Sequence, residues 1–126
     1  MSKKKPKLGY DSRGGVLAVS RAMRESVVYA SMPATAKVLM DLLQMQWRSD
    51  KPVSYGVREA AQKIGCTKNT AGKAFKILLE RGFIVCFEQS SFNSKTGSKT
   101  RDWLLTWMPF DVKNPTHNWE GVPYFV

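Results

Sequence analysis

"GCTKNTAGKAFKILLERGFIV", residues 65–85, decides how the chain folds. Ala71, Ala74, Phe75 and Leu78 recur at i, i+3, i+4 and i+7, the period of a helix with one buried face, and Leu79 lies at the margin of that face. Thr67 is a natural N-cap and Gly82 a natural stop. The outward stripe is Lys68, Asn69, Gly72, Lys73 and Lys76. A glycine in mid-helix costs about 1 kcal/mol relative to alanine, a cost that a closely approaching surface would explain.

Upstream, "GVREAAQKIG" (56–65) predicts a helix of about two turns, with Gly56 at its N-cap, Glu59 in its first turn and Gly65 as a left-handed stop. "DKPVSY" (50–55) reads as a turn and a short extended piece. "SMPATAKVLMDLLQMQW" (31–47) predicts a core helix with Pro33 in its first turn. Its buried face is expected to carry Val38, Leu39, Leu42, Leu43 and Trp47, with Lys37 and Asp41 outside. Before it, Ser20 is expected to cap a helix over "SRAMRESVVYASM" (20–32) whose apolar stripe is Met23, Val27 and Ala30, and "VLAV" (16–19) reads as a short strand.

Downstream, "FIVCFEQ" (83–89) and "RDWLLTW" (101–107) are strand-like. In the second, Trp103, Leu105 and Trp107 are expected inward and Asp102 and Thr106 outward. "SSFNSKTGSKT" (90–100) between them is polar and basic, a long hairpin loop. Residues 1–15, "MSKKKPKLGYDSRGG", show no apolar period and read as a basic arm, either solvated or functional. "PFDVKNPTHNWEGVPYFV" (109–126) carries Phe110, Trp119, Tyr124 and Phe125 among three prolines, a pattern expected of an extended strap. Its aromatics would be buried either on the chain's own helices or on a second subunit.

At 126 residues one compact domain, 16–108, between arm and tail is expected. The formal charge of +10 favours a polyanionic partner. Three windows account for it: Lys3, Lys4, Lys5 and Lys7; Lys68, Lys73, Lys76 and Arg81 against Glu80; and Lys95, Lys99 and Arg101. The rest of the chain is balanced. Two cysteines, one histidine and no secretory or membrane-length apolar run imply a cytoplasmic protein without a metal cluster. Cys66 and Cys86 read as small buried residues. With no G-x-S-x-G, phosphate-binding glycine loop or Cys/His metal spacing, neither an enzyme nor a cofactor is expected.

The order of helix, short strand, helix, tight turn, helix, strand, basic loop and strand resembles the winged helix-turn-helix. That is an α+β fold with a three-helix core and a small antiparallel β-hairpin wing, here with an extra N-terminal helix and an extended C-terminal tail. "VREAAQKIGCTKNTAGKAFKILLERGFIV" (57–85) is similar to the motif of GntR- and MarR-type bacterial regulators. "TRDWLLTW" (100–107) is similar to the end of the wing in small prophage and mobile-element winged-helix proteins.

The resemblance implies that the third helix enters the major groove of double-stranded DNA, with Thr67, Lys68, Asn69, Thr70 and Lys73 facing it. Asn69 would read adenine, Lys68 or Lys73 would donate to guanine, and Thr67 and Thr70 would touch phosphate or a thymine methyl. Lys76 would contact phosphate, as would Lys95, Lys99 and Arg101 on the wing, with Gly97 at its tip; Arg101 alternatively stays at the strand base. The implied function is sequence-specific DNA binding by a transcriptional regulator of repressor type, a homodimer associated with the nucleoid when bound to DNA. Two alternatives are an origin-binding protein of a replicon or mobile element, and a winged helix that binds another protein through its aromatic tail and an exposed Leu104. With no room for a ligand-binding domain beside the motif, no small-molecule effector is expected.

Overall fold

The structure, a computed structural model, describes residues 14–87 and 101–121. These form an α+β arrangement of five α-helices, a short 3-10 helix and a three-stranded antiparallel sheet around one core. The elements are α1 (Arg21–Glu25), α2 (Val27–Ala30), α3 (Ala34–Met45), β1 (Val53–Tyr55), α4 (Val57–Ile64), α5 (Lys68–Glu80), β2 (Ile84–Cys86), β3 (Arg101–Leu105) and the 3-10 helix Asn118–Gly121.

The first helix of the sequence reading is broken in two at Ser26. Its hydroxyl donates to Met23 O (2.6 Å) and accepts from Tyr29 N (3.2 Å), ending α1 and capping α2 with one side chain. The break turns Val28 and Tyr29 inward, whereas the expected stripe residues Val27 and Ala30 are exposed. No strand forms at 16–19: Val16, Leu17 and Val19 are exposed, and Ala18 O is held by the side chain of Gln44 at 2.7 Å.

α3 buries Ala36, Leu39, Met40, Leu43 and Gln44. Val38, expected inside, is 41 % exposed, because six apolar residues between positions 38 and 45 cover more of the helix than one packed face can use. α3 is tied to α1 by the Arg24–Asp41 ion pair at 3.0 Å, and the Arg24 guanidinium stands 4.9 Å from the Tyr29 ring.

β3 is central, pairing Val53 with Trp103 across β1 and Ile84 with Leu105 across β2. Trp103, Leu105 and Trp107 are buried, following their alternation. Thr106, expected outward, is also buried: its hydroxyl donates to Gly82 O (2.7 Å) and its N–H to Phe83 O (2.9 Å). It thereby pairs the carbonyls where α5 turns into β2. Leu104, expected exposed, is half-buried, and Cys86, expected buried, is exposed.

Residues 109–121 fold back on their own chain. Trp47 Nε1 donates to Pro109 O (3.0 Å), Asp111 N to Ser49 O (2.6 Å), and the Phe110 ring lies 5.8 Å from that of Phe87. Phe110 and Lys113 pair across a tight turn whose central residues, Asp111 and Val112, both have positive φ. His117 N donates to Thr106 O (2.8 Å), and buried Trp119 stacks on fully buried Phe83 at 6.0 Å. The expected strap is thus non-helical up to its 3-10 turn at Asn118–Gly121, while Tyr124 and Phe125 lie outside the described residues.

Candidate nucleic-acid interface

α4 ends at Gly65, whose φ of 85° and ψ of 40° let its N–H and that of Cys66 return to Ala61 O at 2.9 and 3.0 Å. The chain then enters α5 almost at once, with Thr67 extended as N-cap and its Oγ1 accepting from Thr70 N at 3.2 Å. Gly65, Cys66 and Thr67 therefore set the angle between two helices that pack on each other, and α5 packs on α3 as well.

Packing orients α5. Ala71, Ala74, Phe75 and Leu78 are buried, and the Phe75 ring stacks on Trp103 at 5.3 Å and 25°. Lys68, Asn69, Lys73 and Lys76 are exposed on the other side. A Cβ on Gly72, among them, would meet no described atom within 4 Å. The expected inward face is the one observed, and of the expected outward stripe the four long side chains are exposed while Gly72 is half-buried.

The exposed face is cationic. Among the described residues its one carboxylate contact is Lys76 Nζ to Glu80 Oε1 at 4.0 Å, between side chains 76 % and 54 % exposed. Such a pair contributes little to stability and leaves Lys76 available to a stronger anion. Thr67 Oγ1 and Thr70 Oγ1 lie 3.0 Å apart and share a hydrogen bond at the helix start, where Thr67 is also the cap.

Arg81, counted among the basic residues of this segment by sequence, belongs elsewhere. Its guanidinium donates to Val28 O (2.6 Å) and Ser31 Oγ (2.7 Å), pairing a carbonyl at the end of α2. Arg101 is the first residue of β3, exposed and opposite Tyr55 of β1, so it stands at the strand base. Lys95 and Lys99 lie outside the described residues. Phe87 N donates to Asp102 O (2.9 Å), carrying the β2–β3 pairing one residue beyond Cys86. Arg58 and Lys63 are two further exposed cations on α4, the helix packed against α5. The sequence reading passed over them because Glu59 and the balanced composition around them hide their charge.

Where β1 meets α4, burial pushes the Tyr55 phenol above its ordinary value, and the Glu59 carboxylate pushes it further in the same direction. Among the described residues no three His, Cys, Asp or Glu side chains come together to hold a metal ion, and no helix is long and apolar enough to cross a membrane.

In comparisons with family models, curated proteins and solved structures, no match to this chain is found.

Proposed function

We propose that the protein is a winged helix-turn-helix that binds double-stranded DNA in a sequence-specific way and acts as a transcriptional regulator of repressor type, without catalytic activity. The observation that carries this reading is the two-sidedness of α5. One face is held by Phe75 and Leu78 in the core, and the other presents Lys68, Asn69, Lys73 and Lys76 with almost no opposing charge. The element order and the β1-β3-β2 sheet are compatible with that fold. In it α5 lies in the major groove, Asn69 reads a base edge, and Thr70 and Lys76 bond phosphates. Lys95 and Lys99 would bond the DNA backbone beside it, with Arg101 at the strand base.

Electrostatics dominates binding in this reading. Neutralising roughly six to eight phosphates gives a slope of log K against log salt of about −5 to −7. Titrating a short mixed-sequence duplex at several salt concentrations measures it, and a flat response removes the DNA-binding reading. Replacing both Lys95 and Lys99 with alanine lowers the slope by about two without altering base preference.

The binding species proposed is a homodimer, which sets two α5 helices into successive major grooves. The exposed apolar side chains Val16, Leu17 and Met45, which border one shallow open depression together with Gly14 and Gly15, motivate it. Light scattering of the free protein and of its DNA complex checks this, and a monomer mass in both contradicts it.

A further inference from the structure

Among the described residues nothing requires position 72 to be glycine. Gly65 and Gly82 need positive φ, at 85° and 78°, and a Cβ on Gly82 would come within 2.9 Å of the Asn118 backbone. Gly72 has neither constraint: its φ is an ordinary one, and a Cβ there meets no described atom within 4 Å. An alanine would fit and would strengthen the helix.

The surroundings of Gly72 say what the bare position is suited to. On a helix the side-chain neighbours of half-buried position 72 on its open side are i−4, i−3 and i+4, which are Lys68, Asn69 and Lys76, with Lys73 following it in the chain further round the exposed face. All four are exposed. Three ammonium groups and one amide thus border a notch floored by backbone, and Glu80, 4.0 Å from Lys76, is the one carboxylate within ion-pair distance among the described residues. A base edge carries no net charge and is read by one or two donors, whereas a phosphodiester oxygen pair attracts several cations at once.

Resting on the DNA-binding reading above, we infer that Gly72 is the point of closest approach between α5 and the DNA, and that its notch seats a backbone phosphate. Lys68, Lys73 and Lys76 surround that phosphate, and Asn69 is left to read the adjoining base. A methyl group at position 72 lifts the phosphate away from all three ammonium groups together.

The test is Gly72→Ala in the full chain, compared with wild type for melting temperature and for affinity to two duplexes: one selected by sequencing protein-bound fragments, one of mixed sequence. The expected result is a melting temperature higher by about 4 °C with affinity lower by roughly tenfold on both duplexes alike, the partial weakening of a phosphate contact shared by three ammonium groups. A single methylphosphonate at the contacted position of the selected duplex then weakens wild type but not Gly72→Ala, the non-additivity of a shared contact. Raised stability with unchanged affinity overturns the inference. A loss confined to the selected duplex overturns the phosphate assignment in favour of a base edge. Salt-independent binding by wild type sinks the DNA-binding reading itself, an outcome separate from either.

Discussion

The indole nitrogen of Trp107 donates to the side-chain carbonyl of Gln44 at 3.0 Å, joining the end of the sheet to α3 in the interior. The same amide donates from Nε2 to Ala18 O at 2.7 Å, so one buried side chain holds three segments that are distant in sequence. Gln44→Leu keeps the volume but strands the buried indole N–H, at an expected cost of about 1–3 kcal/mol. Urea denaturation measures it, and an unchanged midpoint would show that the indole finds another acceptor.

Gly82 is restricted twice, by its φ of 78° and by the Asn118 backbone, which a Cβ would approach to 2.9 Å. Gly65 shares only the first restriction, with open space around it. Gly65→Ala is therefore expected to cost about 1–2 kcal/mol, and Gly82→Ala distinctly more, because the 3-10 turn carrying Trp119 must shift as well. Equal losses in thermal melts of the two variants would mean that this turn yields freely.

Asn69 and Phe75 lie on opposite faces of α5, exposed and 5 % exposed respectively. On the proposed DNA-binding function, Asn69→Ala is expected to lower affinity for the preferred duplex by about 1–3 kcal/mol and for random duplex much less, with little change in melting. Phe75→Ala, which opens a cavity against Trp103, is expected to lose about 3–5 kcal/mol of stability. Equal loss on both duplexes for Asn69→Ala would refute its role in base reading.

Tyr55 is raised above its ordinary value of 10.0, first by burial and then by Glu59. Because the folded state holds the proton more tightly than the unfolded state, this group's contribution is intact below about pH 10 and is lost as pH rises towards the raised folded value. Tyr55→Phe removes the titrating group, so its stability is expected to fall less steeply than that of wild type between about pH 9 and about pH 11. Denaturation midpoints across that range report the difference, and parallel curves would contradict it.

Val112 is fully exposed, yet it sits at a φ of 59°, a left-handed conformation that disfavours a β-branched side chain. Val112→Gly relieves that strain but loosens the unfolded chain, and the balance is expected to be a gain of about 0.5–1 kcal/mol. A loss of stability in chemical denaturation would show that the valine makes a contact in solution.

What the sequence determined by itself is what one element settles alone. The inward and outward faces of α5, the Thr67 cap and the left-handed Gly65 depend on residues within four positions of each other, so helical period and cap chemistry suffice to read them. The alternation of Trp103, Leu105 and Trp107 was legible for the same reason. The tertiary structure alone decided which of several adequate surfaces each element uses. α3 is apolar over more than one face, so its neighbours chose which side to bury and left Val38 out. Arg81 carries the same charge wherever it points; it left the basic face of α5 because Val28 O and Ser31 Oγ, 53 and 50 positions away, offered it partners. Thr106 broke the strand's alternation because the Gly82 and Phe83 carbonyls needed a donor at the end of β3. Hydrogen-bonding needs created by the packing of distant segments leave no periodic trace in the chain, so only the folded arrangement reveals them.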